Sequence, residues 1–192
     1  MGKVYTALGL MSGTSMDGVD ASIVRSDGNQ EYSIKLDKYF KYDDKIRHKI
    51  INIKDKVLLE DDLKLYSDEI KILEKEITVF HADIVNEILK TLKIEIDFLG
   101  FHGQTILHDP EKKITQQLGD GNLLSKLTKK QVIYDFRQND LKNNGNGAPL
   151  TPIFHKLLKR KYKIKKNVYF LNIGGITNYT YIYNGDILEA TD

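Results

Sequence analysis

The chain has 192 residues, 41% of them hydrophobic and 29% charged, with 29 basic against 27 acidic side chains and no cysteine. A chain of this length buries roughly 70% of its unfolded surface, which fits a globular core and not a disordered segment. The near-neutral balance gives no case for a nucleic-acid or membrane surface, and the missing cysteines exclude disulfides and thiolate metal sites.

The first elements are β-prone. Val4 to Leu10 is an apolar run and Asp20 to Ser26 a second one, and between them lies Met11-Ser12-Gly13-Thr14-Ser15-Met16-Asp17-Gly18, dense in turn formers. A strand, turn, strand hairpin is expected, with a third strand from Tyr32 to Tyr39 after the turn at Asp27-Gly28-Asn29. The short N-terminal apolar run lacks the pattern of a signal peptide, and no stretch reaches the length of a membrane span, so a cytoplasmic protein is expected.

The period then changes. Asp43 to Asn52 suits a short helix, and from Asp61 to Lys93 the residues Leu63, Ile70, Leu73, Ile77, Phe80, Ile84, Ile88 and Leu92 recur at three- and four-residue steps. That spacing predicts one long helix with a single apolar stripe. Phe98 to Phe101 reads as a short buried strand ending in His102-Gly103-Gln104-Thr105. A hairpin around Ile114 to Leu118, a helix near Asn122 to Lys130 and a strand from Gln131 to Phe136 follow.

The loop Asn139 to Gly147 is rich in Asn and Gly, long enough for a hinge or flap. Pro149 and Pro152 then mark a helix start, with Ile153 to Arg160 continuing it. The basic run Lys156 to Lys166 reads as a solvated helix end and linker, or as a steering patch for an anion. Val168 to Leu171, Tyr179 to Tyr183 and Ile187 to Ala190 are the last strands. The hairpin from Val168 to Tyr183 echoes the one from Val4 to Ser26, an imperfect repeat that suggests two related lobes with the second barely begun.

Three constellations carry chemistry. Gly13 and Gly18 let backbone amides approach an anion, and Thr14 and Ser15 add hydroxyl donors, so this turn can cradle phosphates. Asp17 and Asp20 could hold magnesium, a hard cation that takes carboxylate oxygen. An ordinary polar hairpin turn fits the same residues. His102, Gln104 and Thr105 offer neutral groups suited to sugar hydroxyls, although a histidine capping a turn is equally compatible. Arg137, between Asp135 and Asp140, reads as a guanidinium held by acids, either facing a polar ligand or tying structure together. Gly174-Gly175 with Thr177 and Asn178 repeats the phosphate-turn logic weakly.

Taken in order, Met11 to Asp20, His102-Gly-Gln-Thr105, Gln117-Leu-Gly-Asp120, Asp135-Phe-Arg137, Gly145-Asn-Gly-Ala-Pro-Leu150 and Leu171-Asn-Ile-Gly-Gly175 resemble the anhydro-N-acetylmuramic acid kinase family. The resemblance implies an α/β fold, an actin-like ATPase (ribonuclease H-like) lobe with a mixed sheet, plus the first strands of a truncated second lobe. The expected division is residues 1–140 for the first lobe, 141–167 for an interlobe loop and helix, and 168–192 for the start of the second. It further implies that Gly13, Thr14, Ser15, Met16, Asp17, Gly18, Val19 and Asp20, with Gly174 and Gly175 opposite, bind the phosphates of ATP, with Asp17 near Mg2+. His102, Gln104, Thr105, Arg137 and Asn172 would face 1,6-anhydro-N-acetylmuramic acid, and Asp192 would be the catalytic base. The implied activity is hydrolytic opening of the anhydro ring with phosphoryl transfer to O6, in peptidoglycan recycling. A complementary C-terminal half or a homodimer is an implied partner. An inactive or binding-only lobe is the alternative, and a chaperone-like nucleotide switch suits the Ser12-to-Gly18 segment poorly.

Overall fold

A computed structural model describes residues 2–173 and 177–191 of the protein. The first three strands, β1 (Tyr5–Ser12), β2 (Gly18–Ser26) and β3 (Tyr32–Lys41), form an antiparallel meander in which Tyr5 pairs with Ser26 and Gly18 with Lys41. Leu8 and Leu10 on β1, and Val19, Ala21 and Ile23 on β2, alternate onto one buried face, as a half-covered sheet requires.

Helices cover that face. Asp43 caps α1 (Asp44–Lys56) by accepting the Ile46 amide at 2.7 Å. The predicted single helix from Asp61 to Lys93 is two: α2 (Glu60–Leu65) and α3 (Ser67–Leu92), divided at Tyr66, whose φ of −101° and ψ of 20° leave the helical region. Periodicity misses the break because Leu63 and Tyr66 still pack toward the same core as the α3 stripe. Ile70, Leu73, Ile77, Ile84 and Ile88 are buried as the stripe demands, while Leu92 at the helix end is exposed.

β4 (Phe98–Asp109) is longer than expected, and His102 to Thr105 lie inside it, not beyond its end. Its first part is parallel to β1 and, on the other edge, to β6 (Val132–Tyr134); its second part is antiparallel to β5 (Ile114–Leu118). The change of neighbour occurs at Gly103, with φ +73°, where an added Cβ would lie 2.3 Å from the Leu118 carbonyl oxygen. Only glycine allows that approach. The sheet order is β3-β2-β1-β4-β5, with β6 beside β4, so the sheet is mixed as expected. Between β5 and β6, Asp120 caps α4 (Gly121–Thr128) through the Leu123 amide at 2.9 Å.

After β6 the Asn/Gly loop proves shorter and more firmly held than a hinge. Its first part is the short α5 (Gln138–Lys142). Asp140 then accepts the Gly145 amide on its carbonyl at 2.8 Å and the Gly147 amide on its carboxylate at 2.7 Å. Pro152 opens α6 (Pro152–Lys161) at its first turn. A separate three-stranded sheet follows, β7 (Val168–Asn172), β8 (Asn178–Tyr183) and β9 (Asp186–Thr191), antiparallel throughout.

α6 docks on that sheet by stacking His155 on Phe170, with ring centroids 4.7 Å apart and planes 4° from parallel. Its far end meets the β2–β3 turn, where Lys161 donates to the Tyr32 carbonyl at 2.7 Å and lies over the Tyr32 ring. The basic run is therefore not simply solvated. Lys159 is buried and donates to the carbonyls of Ile164 and Lys166, and Lys156 pairs with Asp186. The Lys159 ammonium thereby satisfies two carbonyls of the segment that links α6 to β7, and a buried lysine needs such acceptors. Among the described residues no helix is long and apolar enough to cross a membrane.

Candidate functional site

The parallel strands β1, β4 and β6 all end on the same side of the sheet. In open α/β sheets ligands gather beyond the carboxyl ends of such strands. Three of the sequence constellations meet there: the turn after β1, the His102-to-Thr105 stretch of β4, and Asp135 to Arg137 after β6.

The turn after β1 is tight. The Met16 amide donates to the Gly13 carbonyl at 3.2 Å, and Met16 adopts left-handed backbone at φ 54°. Thr14 and Ser15 are exposed at the tip. The two glycines do different jobs. A Cβ on Gly13 would meet only the Ser15 hydroxyl oxygen, at an ordinary 3.8 Å, while a Cβ on Gly18 would lie 2.4 Å from the Phe40 carbonyl oxygen. Gly18 is thus needed for close approach to β3. The Asp17 carboxylate accepts the Ser15 hydroxyl at 2.5 Å. Asp20 is raised above its ordinary value by partial burial, then by the negative charges of Asp37 and Asp17. The Val19 side chain is fully buried in the core. Among the described residues no group of three or more histidine or acidic side chains is arranged to hold a metal ion, so Asp17 and Asp20 do not form a ready cation site with a third ligand.

β4 binds this turn to the sheet. Gln104 is fully buried, and its Nε2 donates to the Gly13 carbonyl at 3.0 Å. Its Oε1 is buried with no hydrogen-bond partner among the described residues. Thr105 accepts from Gln117 at 3.2 Å across the β4–β5 pair. Gly119 and Asp120 of the Gln117-to-Asp120 stretch are held by α3, their amides donating to Glu74 and Thr78 at 3.2 and 3.0 Å.

Arg137 is held differently from the sequence expectation of flanking acids. Its Nε donates to His102 Nε2 at 3.0 Å and its Nη1 to the Gly147 carbonyl at 2.7 Å. His102 Nδ1 lies 2.8 Å from the Gly103 carbonyl and must donate to it, which fixes the tautomer with Nε2 as acceptor. Both ring nitrogens are engaged within the protein, so His102 orients Arg137. Burial, and then the Arg137 charge, push His102 down to about 4, so the ring is neutral at physiological pH.

Beside Arg137 a cleft of about 190 Å³ is lined by His102, Gln116, Gln117, Tyr134, Asp135 and Gln138 among others. Its walls carry the amides of three glutamines, the hydroxyls of Thr115 and Tyr134, and the carboxylates of Glu74 and Asp135. A larger groove of about 580 Å³ lies between the β2–β3 turn and α6, at the opposite end of β1 from the site. Asn172 ends β7 in register with Asn178 and is exposed. Gly174, Gly175 and Asp192 lie outside the described residues.

The structure adds three residues that the sequence reading passed over. Ser12, Tyr42 and His81 are buried together under the turn: Ser12 Oγ lies 2.8 Å from the Tyr42 hydroxyl and 3.3 Å from His81 Nε2. A signal was present. Ser12 continues the Leu8, Leu10 alternation and His81 falls beside Ile77 and Ile84 on the α3 stripe, so both are polar residues at core positions.

The family model described as anhydro-N-acetylmuramic acid kinase matches residues 5–192. The chain is 54% identical over 194 residues to the anhydro-N-acetylmuramic acid kinase of Pelagibacter ubique, spanning all of this chain and 52% of that one. It is 40% identical to that of Agrobacterium fabrum, over all of this chain and 53% of the relative, and 35% identical to that of Bradyrhizobium diazoefficiens, over 98% and 52%. The chain thus spans about half the length of these curated relatives. With a match from the first strand onward, this chain belongs to the anhydro-N-acetylmuramic acid kinase family.

Proposed function

We propose that this chain carries the phosphate-turn half of an ATP-dependent kinase that opens 1,6-anhydro-N-acetylmuramic acid and phosphorylates it at O6. The observation that carries the reading is the convergence, at the ends of three parallel strands, of an open Gly13-to-Ser15 turn and an oriented Arg137. The strand order, an antiparallel meander joined to parallel strands, supports an actin-like ATPase lobe from residue 1 to 140. Residues 141–167 would be its connection, and the separate sheet from residue 168 onward would belong to a second lobe.

In this reading the amides and hydroxyls of Gly13, Thr14 and Ser15 take the phosphates of ATP, as backbone donors at a strand-end turn do. Met16 gives the turn its left-handed step, and Gly18, Val19 and Asp20 anchor it to the sheet. Asp17, in the same turn, would hold Mg2+, which uses one or two carboxylates together with phosphate oxygens. Magnesium would offset charge on the transferring phosphoryl group. The amides and hydroxyls that line the small cleft would offer hydrogen bonds to a hydroxylated sugar. Arg137, Gln104, Thr105 and Asn172 would orient it, with His102 acting through Arg137.

A carboxylate, assigned by the resemblance to Asp192, takes a proton from water, whose oxygen bonds to the anomeric carbon as the bond to O6 breaks. O6 then attacks the γ-phosphorus and ADP leaves, giving N-acetylmuramic acid 6-phosphate. Gly174 and Gly175 would contribute donors from the opposite lobe. A metabolic kinase for a cell-wall sugar places the protein in the cytoplasm.

The test is ADP release from ATP, Mg2+ and the anhydro-sugar, measured with this chain alone and with a polypeptide matching the second half of its relatives. Release is expected only when both are present, and to vanish with Asp192→Asn. Failure of the pair to release ADP would favour a binding-only lobe.

A further inference from the structure

Beneath the phosphate turn lies a directional chain of buried hydrogen bonds that the proposed chemistry does not use. His81 is fully buried in α3, and its Nδ1 lies 2.7 Å from the Ile77 carbonyl, an acceptor only. Nδ1 therefore carries the ring proton, and Nε2 must accept from Ser12 Oγ at 3.3 Å. With its proton directed to His81, Ser12 Oγ accepts from the Tyr42 hydroxyl at 2.8 Å. The order is Tyr42 to Ser12 to His81 to the Ile77 carbonyl, with no free choice of proton position. Burial holds His81 down to about 4 and raises Tyr42 to about 12, so every group keeps its proton near neutral pH.

Tyr42 also reaches the other limb of the turn. Its backbone amide donates to the Asp17 carbonyl at 2.9 Å. One residue thus holds both ends of the segment: the side chain holds Ser12, where β1 enters the turn, and the amide holds Asp17, where the turn leaves. Tyr42 is itself fixed. It is 1% exposed, its ring packs 5.0 Å from Phe80, and it directly precedes the Asp43 cap of α1. The Gln104 bond to the Gly13 carbonyl adds a third tie. Within the turn itself the backbone is closed only by the Met16 amide to Gly13, so its shape depends on these outside holds.

We propose that Tyr42 is a positioning residue that keeps the Gly13-to-Gly18 turn in its anion-binding shape by gripping both limbs, with Ser12 and His81 as the buried backing. A site that binds charge through amides works only while those amides stay aimed, and buried second partners supply that. An all-apolar core would fill the same volume without polar groups to satisfy, so a satisfied polar chain at core positions indicates orientation more than stability. The inference rests on the reading of this turn as the phosphate site.

The test compares the 15N-labelled 192-residue chain with Tyr42→Phe, which keeps the ring and removes only the hydroxyl. Amide exchange is followed at residues 13–18 and in α3 and β4, and Mg·ATP is titrated into each protein. Turn amides are expected to exchange about tenfold faster in the variant while α3 and β4 amides stay within about twofold. Mg·ATP affinity is expected to weaken about fivefold. Ser12→Ala removes the same bond from its other end, together with the Ser12–His81 bond, and should reproduce the pattern, and the double variant should go no further than Ser12→Ala alone. Unchanged turn exchange, a uniform acceleration through the core, or additive effects would each overturn the proposal. If Mg·ATP leaves the wild-type turn amides unmoved, the phosphate reading fails by itself, while the exchange comparison still decides whether Tyr42 grips the turn.

Discussion

Arg137 sits where β6 gives way to α5 and holds two partners at once, His102 Nε2 and the Gly147 carbonyl. A lysine keeps the charge but has a single ammonium on a flexible stem and cannot reproduce that fork. In Arg137→Lys either the buried His102 nitrogen or the Gly147 carbonyl is left without its donor. A loss of about 1–3 kcal/mol in urea unfolding is expected; a change below about 0.5 kcal/mol would show that the fork is not structural. The sequence placed Arg137 in the site but named the wrong neighbours. Asp135 and Asp140 are adjacent in the chain, whereas His102 and Gly147 reach Arg137 only because β4, β6 and the loop after α5 converge. The same applies to Ser12 and His81. Each is visible as a polar residue at a core position, but their meeting lies 69 residues apart in sequence.

Among the elements, α3 does most to hold the site in place. Its stripe backs the sheet, His81 backs the turn, and Glu74 and Thr78 hold the Gly119-Asp120 amides. Ile77 is fully buried at the middle of that stripe. Ile77→Ala is expected to cost about 2–5 kcal/mol through lost burial and a residual cavity, read from a shifted urea midpoint with an unchanged slope. The helix itself was legible because a 3.6-residue period over seven turns is a strong local signal. Its division at Tyr66 was not, since one residue outside helical geometry leaves the apolar phase nearly intact. β4 was half legible. Phe98 to Phe101 reads as a buried strand, but the continuation through Gly103 depends on β5 lying alongside, a pairing that no local pattern encodes.

The whole molecule should be sensitive to mild acid. His81 and His102 are both held down to about 4, by burial first in each case, with the Arg137 charge adding at His102. Between about pH 6.5 and 4 the unfolded chain takes up protons at these two positions and the folded chain does not. Stability is therefore complete above about pH 6.5 and falls as the pH drops toward 4, by about 2 kcal/mol per histidine at pH 5. Urea midpoints measured from pH 7.5 to 5 should show that fall, and His102→Gln should remove close to half of it. A flat profile would mean that neither ring is buried as described.

What the sequence determined by itself was local or ordered. Alternation and periodicity gave the elements, turn chemistry gave the Gly13-to-Gly18 bend, and the succession of short segments gave the family that the match over residues 5–192 shows. The tertiary structure decided what each site residue touches. It showed that Gly18 is required where β2 packs closely on β3, gave His102 to Arg137, and put Tyr42 beneath the turn. The physical reason is the same throughout. Propensity and period act over a few residues, whereas the hydrogen bonds that aim a site join side chains from distant strands and helices, and burial alone brings those partners together.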